Sequence, residues 1–272
     1  MDISIFEMHQ REKLNDYTAL IGVGLKFQFQ PALNLGNQQV FGHEALVRGH
    51  EGESARHLIK GVRPENLPFF DQACRNRAID EAARQGMQGK LFLNCTHINP
   101  GNLELALIST TDQARIRGLD REQVVLEICD LNTLGNARQL AHSRKRAHAC
   151  GFKVCADRFG SGVAGLKQLA VFRPDYLKLD QDLIRNICAR PLSQSVVLGI
   201  CETARALGIE VIANGVENES EVEWLQERAG IQCFQGFLIG RPAAVLNTDP
   251  EGVDRGSVPP PRVQDAQDLV QA

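Results

Sequence analysis

No uninterrupted apolar run in this sequence approaches the roughly 18 residues that a membrane-spanning helix needs, so none is expected. The opening residues, MDISIFEMHQREKLND, are charged and broken, and are not read as a secretory signal. An excess of one charge sign is also missing: 30 Lys and Arg stand against 33 Asp and Glu, a formal net charge of −3. That balance excludes a basic chain built to coat DNA or RNA, and gives no reason to expect a membrane-surface patch. It leaves room for a small anionic ligand held by a local site. The eight cysteines, at 74, 95, 129, 150, 155, 188, 201 and 233, include no CxxC pair. The seven histidines show no HExxH or other zinc spacing. Most cysteines fall inside apolar segments of a chain long enough to bury a real core. They are read as reduced thiols of a cytoplasmic protein, not as a disulfide framework. Internal repeats and a second domain are absent from the pattern.

What is present is the composition of an ordinary folded domain, 43% hydrophobic and 23% charged. Short runs rich in β-branched and aromatic residues occur at 25–30, 40–46, 90–94, 123–128, 152–156, 175–179, 210–213 and 231–236. Amphipathic stretches of helical length lie between many of them, at 69–85, 134–149, 193–207 and 219–228. Alternating β and α elements imply a mainly parallel sheet. Eight strand candidates in a chain of this length fit a (β/α)8 barrel better than an open sheet. The expected division is a helical lead-in at 1–24, a barrel at 25–245 and a mobile, polar, proline-containing tail at 246–272.

In such a barrel the chemistry sits where the strands end and the βα loops converge. The first run ends at Gln30. The second carries Glu44, Leu46 and Arg48, and the third ends at Asn94. The fourth carries Glu127, with Asp130 beyond, and the fifth is closed by Asp157 and Arg158. The sixth bears Lys178 and Asp180, the seventh Asn214 with Glu217 beyond, and the eighth Gln235. Glu44, Asn94, Glu127 and Asp157 are hard oxygen donors at successive strand ends, a set that suits Mg²⁺, Mn²⁺ or Ca²⁺. Taken singly, each reads first as an acid or amide solvated in a loop, and only their joint occurrence at strand ends favours a cation site. Residues 160–165, GSGVAG, match GxGxxG after a strand and before a helix. The alternative is a glycine-rich loop needing positive φ, and the position past mid-chain favours that alternative over a dinucleotide fingerprint.

Read in order, the segments FQFQP, GHEALVRG, LFLNC, VVLEICD, ADRFGSG, PDYLKLD, VIANGVEN and FQGFLIGRP resemble the EAL domain, the bacterial cyclic-di-GMP phosphodiesterase family. The stretch LPFFDQACRNRAIDEAARQGM resembles the subgroup often joined to blue-light sensors. The resemblance implies a modified TIM barrel with one antiparallel strand, cyclic-di-GMP as ligand, and two divalent cations in active members. It places Glu44, Asn94, Glu127 and Asp157 around the first cation, with Mg or Mn expected. It gives Lys178 a place beside the nucleophile and phosphate. Gln30, Leu46, Arg48, Asp180, Glu217 and Gln235 fall among substrate contacts and their support, with Arg48 suited to phosphate. The resemblance also marks departures. Arg158 and Asn214 stand where the second cation's remaining ligands, an Asp and a Glu, are expected. Val163 replaces a loop Tyr, and Asp130 a loop-steadying Glu. Arg158 adds two positive charges relative to Asp, and Asn214 one relative to Glu, so the second cation is expected to be lost. The expected function is a degenerate receptor for cyclic-di-GMP with little or no hydrolysis. The alternatives are a weak phosphodiesterase yielding pGpG and a nucleotide-independent regulator with an unknown protein partner. A homodimer through helices near the glycine-rich loop is expected by the same resemblance.

Overall fold

Short runs rich in β-branched and aromatic residues form eight strands: β1 (Lys26–Asn34), β2 (Gln39–Arg48), β3 (Lys90–Asn94), β4 (Val124–Ile128), β5 (Lys153–Phe159), β6 (Tyr176–Leu179), β7 (Glu210–Asn214) and β8 (Cys233–Gln235). Of these, β3, β4, β6 and β8 are buried on both faces. They close into one barrel in sequence order. The structure is a computed structural model and describes residues 24–162 and 165–247. Nearly all of the expected lead-in and tail, and Val163, lie outside the described residues. β1 runs antiparallel to both β2 and β8, and every other neighbouring pair is parallel. The connection at 35–38 is too short for a crossover, so β1 and β2 must form a hairpin.

Helices fill the intervals: α1 (Ala55–Lys60), α2 (Leu67–Arg84), α3 (Leu103–Ile116), α4 (Ala137–Ala149), α5 (Leu166–Phe172), α6 (Gln181–Ile184), α7 (Pro191–Leu207) and α8 (Glu219–Ala229). The expected stretches match α2, α4, α7 and α8. α4 starts later than 134 because Asn136 caps it, accepting from the Arg138 and Gln139 amides. α1, α3, α5 and α6 were not distinguished by periodicity. α3 is partly buried along its length, which blurs the polar face that such readings need.

Strand alternation divides the core in two. Leu91, Leu93, Val124, Leu126, Val154, Ala156, Leu177, Leu179, Ala213 and Phe234 face outward into the helical layer. Phe92, Val125, Cys155, Tyr176, Ile212 and Cys233 face the lumen and form an apolar plug. The eight cysteines are all free. Among the described residues no helix is long and apolar enough to cross a membrane.

Two strand expectations need correction. The first run extends to Asn34, so Gln30 lies within β1, opposite Glu44, and does not end a strand. Because β1 is antiparallel, its N-terminal half, not its C-terminal end, meets the functional rim. The fifth run continues through Asp157 and Arg158 to Phe159, with an irregular register against β6.

Candidate functional site

Moving two residues along each strand keeps a side chain on the same face. Above the plug residues Phe92, Val125, Cys155, Tyr176, Ile212 and Cys233 therefore stand Asn94, Glu127, Asp157, Lys178, Asn214 and Gln235. Glu44 of β2 joins them through direct contacts. This polar ring is the floor of the mouth.

Lys178 is its hub. Its side chain is fully buried, and its ammonium contacts Glu44 Oε2 at 2.6 Å and Glu127 Oε1. The ammonium also lies 4.8 Å from the centre of the Phe92 ring, which ties the ring to the plug. Glu44 accepts further hydrogen bonds from Asn94 Nδ2 (3.2 Å) and Gln235 Nε2 (3.0 Å). Burial pushes the Glu44 carboxyl up, but Lys178 and these amides outweigh it and hold the group below its usual range. Glu127 is pushed well up by burial and by the Glu44 charge. Asp157 is raised as well, chiefly by burial. The Lys178 ammonium is held well above its usual value: burial opposes its charge, but Glu127, Glu44 and Asp157 favour it more strongly. One ammonium does not balance three buried carboxylates.

Unpartnered atoms point the same way. Apart from the Lys178 contact, neither Glu127 oxygen has a partner, and Asp157 Oδ1 and Gln235 Oε1 have none either. The donor chemistry suits a hard divalent cation. Among the described residues, however, no group of three or more His, Cys, Asp and Glu side chains is arranged to hold one. In this arrangement the ammonium takes a cation's place between Glu44 and Glu127.

An EAL-domain sequence profile matches residues 17–242. The chain belongs to the EAL family. Over 225 residues it is 28% identical to the blue light- and temperature-regulated antirepressor BluF of Escherichia coli K12, covering 82% of this chain and 55% of BluF. A standalone EAL protein from Vibrio cholerae O395, solved in a c-di-GMP-bound form, superposes with a TM-score of 0.77 at 32% identity, covering 82% of this chain and 94% of that one. A manganese and cyclic-diGMP complex of Klebsiella pneumoniae BlrP1 gives 0.74 at 30% identity, covering 80% of this chain and 56% of that one. The chain thus spans about half the length of BluF and of BlrP1.

The remaining expected EAL residues divide by surroundings. Arg48 is half-buried and donates from Nε to Gln28 Oε1 (2.9 Å) and from Nη1 to the Val47 carbonyl (2.9 Å). Gln28, not singled out from sequence, shares a β1 face with Gln30 in FQFQP, and that alternation was its signal. Gln30 donates to the Gly240 carbonyl at 3.2 Å. Leu46 is half-buried and supplies apolar surface only. Asp180 caps α6 by accepting from the Asp182 amide at 2.9 Å. Glu217 is engaged by Arg185 at 2.8 Å, away from the ring's ion pairs. Asn214 has no side-chain hydrogen bond among the described residues. Asp130 binds the amide of Asn132 at 2.8 Å, and Asn132 receives Gln168 of α5, whose Oε1 accepts from the Gly165 amide at 3.0 Å. That relay reaches the end of the glycine-rich segment. Gly160 has φ of +102°, and a Cβ there would lie 2.8 Å from Leu183. The GxGxxG match is thus explained by backbone geometry.

Two further contributors were missed. The Cys129 thiol, two residues beyond Glu127 on the same face, donates to Asp157 Oδ2 (3.5 Å) and Asn94 Oδ1 (3.8 Å). Burial, reinforced by the Asp157 charge, keeps it a thiol. Behind Asn94, buried Arg75 of α2 pairs with Asp71 and donates to Gln72 Oε1 at 2.6 Å and to the Asn94 carbonyl at 3.3 Å. This network fixes the end of β3.

Proposed function

We propose that this EAL domain is a degenerate receptor: it binds cyclic-di-GMP and hydrolyses it little or not at all. The observation that carries this reading is Arg158, a cation beside Asp157 where the resemblance calls for a second metal-binding carboxylate. Asn214 supports it, since a neutral carboxamide supplies no charge to hold a divalent ion. The two positions together do not fit a second cation. The nucleotide itself is supported by the relatives solved with it, in Vibrio cholerae and Klebsiella pneumoniae.

The first set has the donor chemistry for one, although the Lys178 ammonium stands between Glu44 and Glu127. Glu44, Asn94, Glu127 and Asp157 would hold a single Mg²⁺ or Mn²⁺, which when bound supplies positive charge to phosphoryl oxygens. Around it the chain's own residues bind and orient. Arg48 offers its remaining Nη2 donors to a phosphate oxygen while Gln28 fixes the guanidinium plane. Lys178 stays protonated and neutralises Glu44. Gln235 and Asn94 keep the Glu44 carboxylate turned into the mouth. No second Lewis acid is supplied to deprotonate the attacking water, so chemistry loses orders of magnitude while binding persists.

Calorimetric titration with cyclic-di-GMP, with and without Mg²⁺, tests the reading. Saturable heat is expected. No heat at about 50 μM nucleotide, where a receptor with a Kd near 1 μM would be saturated, overturns it. The second reading, a slow phosphodiesterase, is favoured by the intact Glu44, Asn94, Glu127, Asp157 and Lys178 set. It predicts pGpG formation in Mn²⁺ that Glu44→Ala abolishes.

A further inference from the structure

We propose that Arg158 is itself a phosphate ligand, taking over by direct contact the place of the missing second cation, so that the nucleotide binds without any metal. This rests on the receptor reading and deepens it. The register carries the argument. Cys155 pairs with Tyr176 and Ala156 with Leu177, but the next pair is Phe159 with Leu179. Asp157 and Arg158 therefore both stand opposite the single residue Lys178. Burial gives the same answer independently. Val154, Ala156 and Phe159 belong to the outer core, and Cys155 to the lumen. In a regular strand Phe159 would share the side of Cys155. It lies on the other, so one extra residue is inserted between them, and Arg158 shares the lumen side with Asp157. A β-bulge re-aims a side chain in this way.

The backbone and the charges agree. Arg158 has φ of +50°, a left-handed conformation that non-glycine residues seldom adopt and that concentrates at functional sites. Its charge is felt by Asp157, Asp180 and Cys129. Yet among the described residues no carboxylate lies within 4.0 Å of it, and its side chain makes no hydrogen bond. A half-buried arginine that follows Asp157 in the chain, with its side-chain donors unspent among the described residues, is arranged for an incoming anion. Its planar fork matches two oxygens of a phosphodiester. Arg48, reaching the rim from β2, provides a second guanidinium on a separate strand.

The test titrates the full chain with cyclic-di-GMP in excess EDTA and, separately, in Mg²⁺. The wild type is expected to bind in EDTA. Arg158→Asn, which tolerates the left-handed backbone, is expected to weaken that binding by about tenfold to 100-fold, the range for a lost charge-assisted pair. Arg158→Lys, keeping charge without the fork, should fall between. Arg158→Asp with Asn214→Glu should bind only with divalent cation. A melting curve confirms that each variant folds. Wild-type binding in Mg²⁺ but not in EDTA, or Arg158→Asn binding in EDTA as tightly as wild type, overturns the inference and leaves the receptor standing. No binding by the wild type under either condition overturns both.

Discussion

The lower and upper halves of the lumen are built by the same strands, two residues apart, yet they are opposites. Below, Phe92, Val125, Cys155, Tyr176, Ile212 and Cys233 form an apolar plug closed by ring contacts of Phe41, Phe92 and Tyr176. Above, three carboxylates crowd one ammonium, and several buried oxygens have no partner. The plug satisfies its own packing and serves stability. The ring does not satisfy itself, and that residual imbalance is what an outside ligand would relieve. One barrel thus sets a self-sufficient apolar layer two residues below a charged layer with unpartnered oxygens.

Substitutions can break or sharpen that contrast. The largest effect is expected in the plug: Phe92→Ala removes a fully buried ring and should lower unfolding free energy by about 3–5 kcal/mol in urea titrations. A loss under about 1 kcal/mol would show that the plug is not the stabilising half. Next comes Lys178→Met, which leaves Glu44 and Glu127 without their counter-ion. It should cost about 3 kcal/mol by the same measurement, and added Ca²⁺ should recover part of the loss. No recovery would contradict the reading of the ring as a cation-compatible set. Glu127→Gln should change the sign. Relieving carboxylate crowding is expected to stabilise the protein by about 1 kcal/mol in thermal melts without divalent cation. A loss of that size would make Glu127 a structural residue instead. Smallest is Arg158→Asn, expected to raise stability by about 0.5 kcal/mol or more as left-handed strain is relieved. A lower melting temperature would mean that the guanidinium makes a stabilising contact within the fold.

The contrast also explains what could be read from sequence. Strands announce themselves through runs such as KLFLN and VVLEI, and their polar closing residues land in one ring. Antiparallel β1 was read only through the family resemblance, although the short stretch between the first two runs leaves no room for a parallel crossover. The bulge at Asp157 and Arg158 was not legible at all: it is a property of pairing with β6, and the sequence of β5 alone reads as regular. The Asp71, Gln72 and Arg75 network was missed because polar residues on a helix normally mark its solvent face, whereas these are buried behind β3. Lys178 was read as a group near the phosphate. The structure adds its second place, as the counter-ion of two carboxylates.

The central claim is that the ring binds cyclic-di-GMP without turning it over. The most direct measurement incubates the full chain with cyclic-di-GMP in Mn²⁺ under single-turnover conditions and separates the products by anion-exchange chromatography, with Glu44→Ala in parallel. The account predicts bound, intact nucleotide and no more pGpG than the Glu44→Ala protein forms. Steady pGpG production by the wild type that Glu44→Ala abolishes would contradict it.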